Sequence, residues 1–112
     1  MANNKIRQFT FRPPTKAEYV YVVEVAPYGE RVRCGNLALG DKTLHLGKRG
    51  PHLSEEMTIV WQKSKEDGTF FEEKISTSVS IKDIPKEKRT NHIIFEYHGD
   101  EKWTVRFGEP VK

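Results

Sequence analysis

The histidines are the side chains most suited to bind a transition metal or to move protons near neutral pH. The chain has four of them: His45, His52, His92 and His98. His92 and His98 share parity on one predicted strand, so both point away from its apolar face. About 20 Å of extended chain separates them, too far for two ligands of one metal ion. We therefore predict solvent-facing histidines and no metal site.

The carboxylates give no sign of acid–base catalysis. Glu72 and Glu73 are neighbours on a predicted strand, so they point to opposite faces. The other adjacent acidic pairs lie in predicted loops or turns, where acidic residues are common. Glu73 falls in phase with the apolar residues Phe71 and Ile75, and we expect a β-bulge to turn it outward.

The motifs of nucleophilic and phosphate chemistry are absent. The chain contains no G-x-S-x-G, no phosphate-binding loop, no G-x-G-x-x-G and no H-E-x-x-H. Cys34 is the single cysteine, which excludes an internal disulfide and a thiolate metal cluster within one chain. The sequence therefore predicts a protein that is not an enzyme, with no catalytic residue and no cofactor.

The charge pattern gives weak support for nucleic-acid binding. The net charge is +3, and basic and acidic residues alternate along the whole chain. Binding of single-stranded nucleic acid requires exposed aromatic side chains, on which bases stack, along a positively charged groove. Most aromatics here fall in phase with aliphatic core residues, and Tyr28, in a turn, is the one that we expect to be exposed. A protein partner is the better prediction, with a small nucleic-acid-binding β-barrel as an alternative.

Alternation of apolar and polar residues with period two dominates the chain. It predicts eight or nine short strands in one all-β domain over residues 1–112, with residues 1–5 flexible. Tyr19 and Tyr21 share parity with Val23 and Val25 and are predicted core residues. One long strand, or two separated by a bend near Ser76, is predicted from Phe71 to Ile81. We predict an antiparallel β-sandwich, with a partly open barrel as the alternative. No apolar run approaches the roughly 20 residues of a transmembrane helix.

The stretch IIFEYHGDEKWTVRF, residues 93–107, is a predicted hairpin whose loop length follows from parity. A two-residue turn at Gly99-Asp100 would place apolar residues opposite polar ones. A three-residue loop, Gly99 to Glu101, pairs Tyr97 with Trp103 and keeps one apolar face.

Two predicted loops carry the residues that we expect to contact a partner. The first, 47–56, has two glycines, one proline and no apolar period, and the second, 83–90, is rich in lysine. A partly desolvated arginine is the expected hot spot. The predicted contact residues are Lys48, Arg49, His52 and Glu55 in the first loop, and Lys86, Lys88 and Arg89 in the second.

Three stretches resemble a group of small bacterial β-sandwich lipoproteins of uncharacterised type: VEVAPYGERVRCGN, LSEEMTIVW and IIFEYHGDEKWTVRF. Such proteins are often encoded beside type VI secretion effectors of the phospholipase kind. The resemblance implies a periplasmic immunity protein that inhibits such an effector. The chain departs from the group in lacking a lipobox cysteine at its start and in having one cysteine where a pair is frequent.

These observations together favour a non-enzymatic, immunity-type inhibitor that blocks a toxic, lipase-type effector sterically. An alternative of another class is a structural subunit of a phage or secretion apparatus, assembled through edge strands. MANNKIRQF has no apolar signal region, so we expect a periplasmic location if a signal or lipid anchor was removed, and a cytoplasmic one otherwise.

Overall fold

The computed structural model describes residues 5–12, 19–29, 32, 35–36, 40–64 and 71–111. The predicted flexibility of residues 1–4 concerns residues outside this part, and Cys34 also lies outside it. The described strands are β1 (Gln8–Arg12), β2 (Tyr19–Ala26), β3 (Gly35–Asn36), β4 (Lys42–His45), β5 (Glu56–Ser64), β6 (Ile75–Ser80), β7 (His92–Tyr97) and β8 (Trp103–Phe107). Two single 3₁₀ turns, Gly47–Arg49 and Lys86–Lys88, lie between strands.

The strands form two open four-stranded sheets, which confirms the predicted all-β sandwich. Sheet A has the order β4-β1-β7-β8 and sheet B has the order β3-β2-β5-β6. The pairing is antiparallel except between β1 and β7, which run parallel. A parallel pair requires a long connection rather than a hairpin, and here the chain builds all of sheet B between the two strands.

Aromatic side chains fill the space between the sheets. Phe95 stacks on Phe9 and Phe11 within sheet A, with ring centroids 5.9 and 5.0 Å apart. Trp61 of sheet B packs against Tyr97 and Trp103 of sheet A, with centroids at 5.0 and 5.8 Å. All six of these aromatics are buried, so they provide much of the apolar area that stabilises the domain.

Strand β2 departs from the predicted parity. Val20 and Val22 are fully buried, whereas Tyr19 and Tyr21, predicted as core residues, are only half-buried on the outer face. The pairing with β5 shifts between Val22 and Glu24. A bulge there adds one residue and returns Val25 to the core, so an uninterrupted alternation assigned the first half of the strand to the wrong face.

The strand predicted from Phe71 to Ile81 is shorter in the structure. Strand β6 begins at Ile75, and Phe71 is exposed, packing edge-on against Tyr21 with ring centroids 5.2 Å apart. Glu73 precedes the strand and is exposed, so no bulge is needed to turn it outward. Ser76, Ser78 and Ser80 point to solvent, as their parity predicted.

The hairpin of β7 and β8 has the predicted register. Tyr97 pairs with Trp103, Phe95 with Val105 and Ile93 with Phe107. The loop residues Gly99, Asp100 and Glu101 all have positive φ, at 87°, 50° and 61°. The Tyr97 hydroxyl accepts a hydrogen bond from the Glu101 amide at 3.2 Å, which fixes the loop above the aromatic cluster.

Deleting Asp100 is expected to lower the free energy of unfolding by about 3 kcal/mol or more, since a two-residue loop turns one arm of the hairpin to the wrong face. Urea denaturation measures the change. Asp100→Asn, which keeps the loop length and the tolerance for positive φ, is the control and should be nearly neutral. A deletion as stable as this control would contradict the register.

Candidate functional site

Both predicted contact loops lie at one end of the sandwich, which we call the loop end and define as residues 46–55 and 81–91. The first segment leads from β4 of sheet A to β5 of sheet B, and the second leads from β6 back to β7. Because β1 and β7 are parallel, β7 begins at the same end as β1, beside the end of β4. The Ile81 amide donates to the Glu55 carbonyl at 2.9 Å and joins the two segments directly.

The turn Gly47–Arg49 projects between two fixed points. The Leu46 amide donates to the Arg7 carbonyl at 2.8 Å, and the Ile6 amide donates to the Pro51 carbonyl at 2.7 Å. Gly50 lies against the backbone of Ile6 so closely that a β-carbon there would collide with the Ile6 carbonyl. Lys48 and Arg49 therefore lie on a short turn whose two ends are held by hydrogen bonds to the backbone of Arg7 and Ile6.

Tyr28 supports the same segment from inside the domain. It was predicted to be exposed, and that prediction is wrong: the ring is buried against Phe9, with centroids 5.5 Å apart. Its hydroxyl accepts a hydrogen bond from the Ser54 amide at 2.9 Å. Burial raises the pKa of the Tyr28 hydroxyl, while the bond from Ser54 lowers it to a smaller extent. The turn that carries Tyr28 thus acts as a support for the loop end.

Arg89 is engaged within the chain rather than presented to solvent. Its side chain is 13% exposed. The guanidinium donates to the Ile84 carbonyl from Nε and to the Ile81 carbonyl from Nη2, each at 3.0 Å. Its Nη1 lies 3.5 Å from a carboxylate oxygen of Glu55. We therefore assign Arg89 to holding the second segment in shape and to pairing it with the first, instead of to direct contact with a partner.

A second ion pair lies at the edge of the loop end. The Lys82 ammonium is 2.9 Å from the Glu56 carboxylate, and both side chains are exposed. The hydrogen bond with Glu56, followed by its charge, raises the pKa of Lys82. This pairing leaves Lys82 less able to contact a partner than the other lysines of the segment.

The remaining basic residues of the loop end are exposed and have no ion-pair partner among the described residues. Lys48, Arg49, Lys86 and Lys88 form no ion pair with any described residue, and each is exposed. His52 is also exposed, while its backbone forms an antiparallel bridge with Lys5. The structure thus places six of the seven predicted contact residues on the surface of one end, with Arg89 beneath them.

The excess of basic over acidic residues in this chain falls within the loop end. Residues 47–55 and 81–91 contain six basic and three acidic side chains, an excess of three that equals the net charge of the whole chain, +3. The two pairs formed by Arg89 and Lys82 neutralise charge locally. The exposed lysines and Arg49 therefore form the part of the loop end that attracts negative charge.

A second polar cluster lies on the outer face of sheet A around His92. Its Nε2 is 2.7 Å from the Thr10 hydroxyl and 3.3 Å from the Gln8 amide nitrogen, and its Nδ1 is 3.3 Å from the Glu109 carbonyl. An imidazole that donates from Nδ1 to the Glu109 carbonyl and accepts at Nε2 from the Thr10 hydroxyl satisfies the ring, with the Gln8 amide as a longer contact. Desolvation lowers the pKa of His92, and the charges of Arg12 and Arg106 act in the same direction.

This cluster corrects the prediction that His92 faces solvent, because the segment after β8 covers it. The Gly108 amide donates to the His92 carbonyl at 2.9 Å, and Asn91 exchanges two hydrogen bonds of 2.7 Å with the backbone of Val111. Nothing local in the sequence indicates this return of the chain. His98, in contrast, is exposed as predicted, and its Nε2 lies 2.6 Å from the Thr104 hydroxyl.

No protein-family model, no curated protein and no solved structure matches this chain. Among the described residues, no group of three or more histidine, cysteine or acidic side chains is placed to hold a metal ion. No helix in the described part is long and apolar enough to cross a membrane. The functional proposal therefore depends on the geometry and charge of the loop end.

Replacing Arg89 with methionine is expected to lower the free energy of unfolding by about 2 kcal/mol, because the Ile81 and Ile84 carbonyls lose a charged donor. Urea denaturation measures the loss. Arg49→Met removes the same group from an exposed turn and should change stability by less than about 0.5 kcal/mol. Equal effects of the two substitutions would contradict the supporting role of Arg89.

The stability of the protein is expected to fall as the pH is lowered through the ordinary pKa of histidine, about 6.5. The folded state holds His92 neutral with a lowered pKa, so the unfolded chain binds more protons in this range and stability rises with pH. Urea denaturation at several pH values measures the slope. His92→Gln should flatten it, while His52→Gln, at an exposed position, should leave it nearly as it is. An equal slope in the His92 variant would exclude His92 as its source.

Proposed function

We propose that this protein is a non-enzymatic protein-binding module whose loop end contacts an acidic surface of a protein partner. The observation that carries the proposal is the set of four exposed basic side chains, Lys48, Arg49, Lys86 and Lys88, that find no described acidic partner within the chain. Charged groups arranged in this way accelerate encounter with an oppositely charged surface and fix its orientation.

The hydrogen bonds beneath these four side chains favour binding without a change in the backbone of the loop end. The Arg89 bonds, the Tyr28–Ser54 bond and the amide contacts of Leu46 and Ile6 hold the backbone of both segments. Binding to a segment that is already ordered costs less conformational entropy than ordering a loop on contact. The side chains of the two 3₁₀ turns are then what remains to be ordered on binding.

A protein partner is favoured over single-stranded nucleic acid. Stacking of bases needs exposed aromatic side chains. Among the described residues the large hydrophobic side chain that is exposed is Phe71, at the opposite end of the domain. The loop end also presents Asp83 and Glu87, which repel phosphates but pair with basic residues of a protein.

The resemblance to immunity-type lipoproteins gives this proposal its more specific form. In that form the partner is a secreted toxin of the lipase kind, and the projecting turns enter or cover its cleft. Inhibition is then steric, with charge-assisted hydrogen bonds from the exposed lysines and Arg49 to carboxylates at the rim of the cleft. No residue of this protein takes part in chemistry.

The test compares two double variants with the same change in net charge. One reverses charges in the loop end, and the other reverses charges at the opposite end of the strands. Tagged wild-type protein captures the partner from an extract of the source cells, and mass spectrometry identifies it. Binding of the purified partner is then measured by surface plasmon resonance. Lys48→Glu combined with Lys86→Glu is expected to slow association roughly tenfold, with a larger effect at low salt.

The matched control combines Lys42→Glu and Lys102→Glu, which makes the same change in net charge at the opposite end of the strands. It should bind the partner nearly as fast as wild type. Equal loss in both double variants would show that only net charge matters. Unchanged binding of the loop-end variant would overturn the proposal, and a salt-dependent mobility shift of mixed oligonucleotides would favour the nucleic-acid alternative.

A further inference from the structure

Strand β6 is the outermost strand of sheet B, and no described residue pairs with its free side. Natural proteins protect such edges with charged residues, proline, bulges or very short strands. The six residues of β6, ISTSVS, include no charge and no proline, and their pairing with β5 is regular. The other described edges differ: β4 carries Lys42, β8 carries Arg106 and β3 has two residues.

The free side of β6 presents hydrogen-bonding groups at regular spacing. The Ile81 amide donates to the Glu55 carbonyl, and Ile81 stands opposite Glu55 in the continued register of β5 and β6. Residues of one parity in an antiparallel pair bond to the partner strand, and those of the other parity point away from it. The amides and carbonyls of Ser76, Ser78 and Ser80 therefore point to the open side.

The side chains of these three serines are small and exposed on the outer face of the sheet. A strand that approaches the edge meets no long side chain from β6 itself. Short hydroxyl side chains also form favourable cross-strand pairs with serine and threonine. Among the residues that the structure describes, neither backbone nor side chains block this edge.

We propose that β6 is an interaction surface for a second copy of this chain, which pairs antiparallel with its own β6 about a two-fold axis. The argument for a second copy is self-complementarity: an uncharged strand faces an identical uncharged strand, with serine opposite serine on the outer face. Pairing continues each sheet B into one sheet across the dimer. This surface is separate from the loop end and does not depend on the function proposed for it.

The flanking charges select the register of this pairing. Any register with a residue on the axis keeps like faces together, and the two that pair most of β6 place Thr77 or Ser78 there. With Ser78 on the axis, Lys74 of one copy would stand opposite Lys82 of the other, an unfavourable like-charge pair. With Thr77 on the axis, Lys74 stands opposite Ser80, and Ser76 pairs with Ser78. We assign the register centred on Thr77.

The two-fold arrangement also sets the size of the assembly and its shape. An isologous contact uses the same patch on both copies and closes at two, so it yields a dimer and not a filament. Because the paired strands run in opposite directions, the two loop ends lie at opposite ends of the dimer. Each dimer then offers two separate contact surfaces to partners.

The test is light scattering and sedimentation equilibrium over a range of protein concentrations. Wild-type protein is expected to show a monomer–dimer equilibrium. Ser78→Pro removes an amide that points to the open side and keeps the bonds to β5, so it should abolish the dimer. Ser78→Lys keeps the amide and places charge on the edge, and it should raise the dimer dissociation constant roughly tenfold.

The matched control is Thr104→Lys, which adds the same charge to the exposed face of β8, the neighbouring edge of sheet A. It should dimerise as wild type does. A wild-type protein that stays monomeric at all concentrations would overturn the proposal, as would a dimer that survives both substitutions of Ser78. A dimer lost equally in the Thr104 variant would also overturn it.

Cysteine cross-linking tests the register in a background where Cys34 is replaced by serine. A mixture of the Ser76→Cys and Ser78→Cys proteins is expected to form a mixed disulfide under mild oxidation, since these positions face each other about 5.5 Å apart between Cα atoms. Preferential linkage of Ser78→Cys to itself would overturn the register centred on Thr77.

Discussion

The packing of Trp61 against Tyr97 and Trp103 is the contact on which the rest of the domain depends. It joins the middle of sheet B to the hairpin that closes sheet A, with the three rings fully or almost fully buried. The Trp61 indole donates to the Thr77 hydroxyl at 3.0 Å, which extends the contact to β6. The ion pair of Lys63 with Glu101, at 3.1 Å, lies beside the cluster and also spans the two sheets.

The opposite end of the sandwich carries two connections between the sheets, from β4 to β5 and from β6 to β7. The parallel pairing of β1 and β7 starts both strands there, so the chain must cross between sheets twice in the same neighbourhood. Hydrogen bonds from Arg89, Tyr28 and nearby amides satisfy the polar backbone of those crossings. The charged side chains that remain are turned outward because burying them unpaired would cost several kcal/mol.

The sequence alone predicted the features that depend on local alternation of apolar and polar residues. The register of the final hairpin follows from the parity of Tyr97 and Trp103, because a buried face tolerates no shift by one residue. The two loops were predicted from their glycines, Pro51 and lysines, but their meeting at one end of the domain was not. Local patterns failed where one residue was inserted or where distant segments met: the bulge after Val22 reversed the faces of Tyr19 and Tyr21.

The same limit applies to the candidate site. The composition of the two loops indicated which side chains would be exposed, but not that Arg89 would turn inward to the carbonyls of Ile81 and Ile84. Nor did it indicate that Tyr28 would be buried under Ser54, since both contacts join residues that only the fold brings together. The division between supporting and presented residues is therefore a property of the three-dimensional structure.

Amide hydrogen exchange of the protein alone and bound to its captured partner tests the role of the loop end most directly. We expect added protection in 47–52 and 86–89, with the hairpin loop 98–102 unchanged. Protection confined to 98–102, or to the strands of either sheet, would contradict the assignment of the loop end as the binding surface.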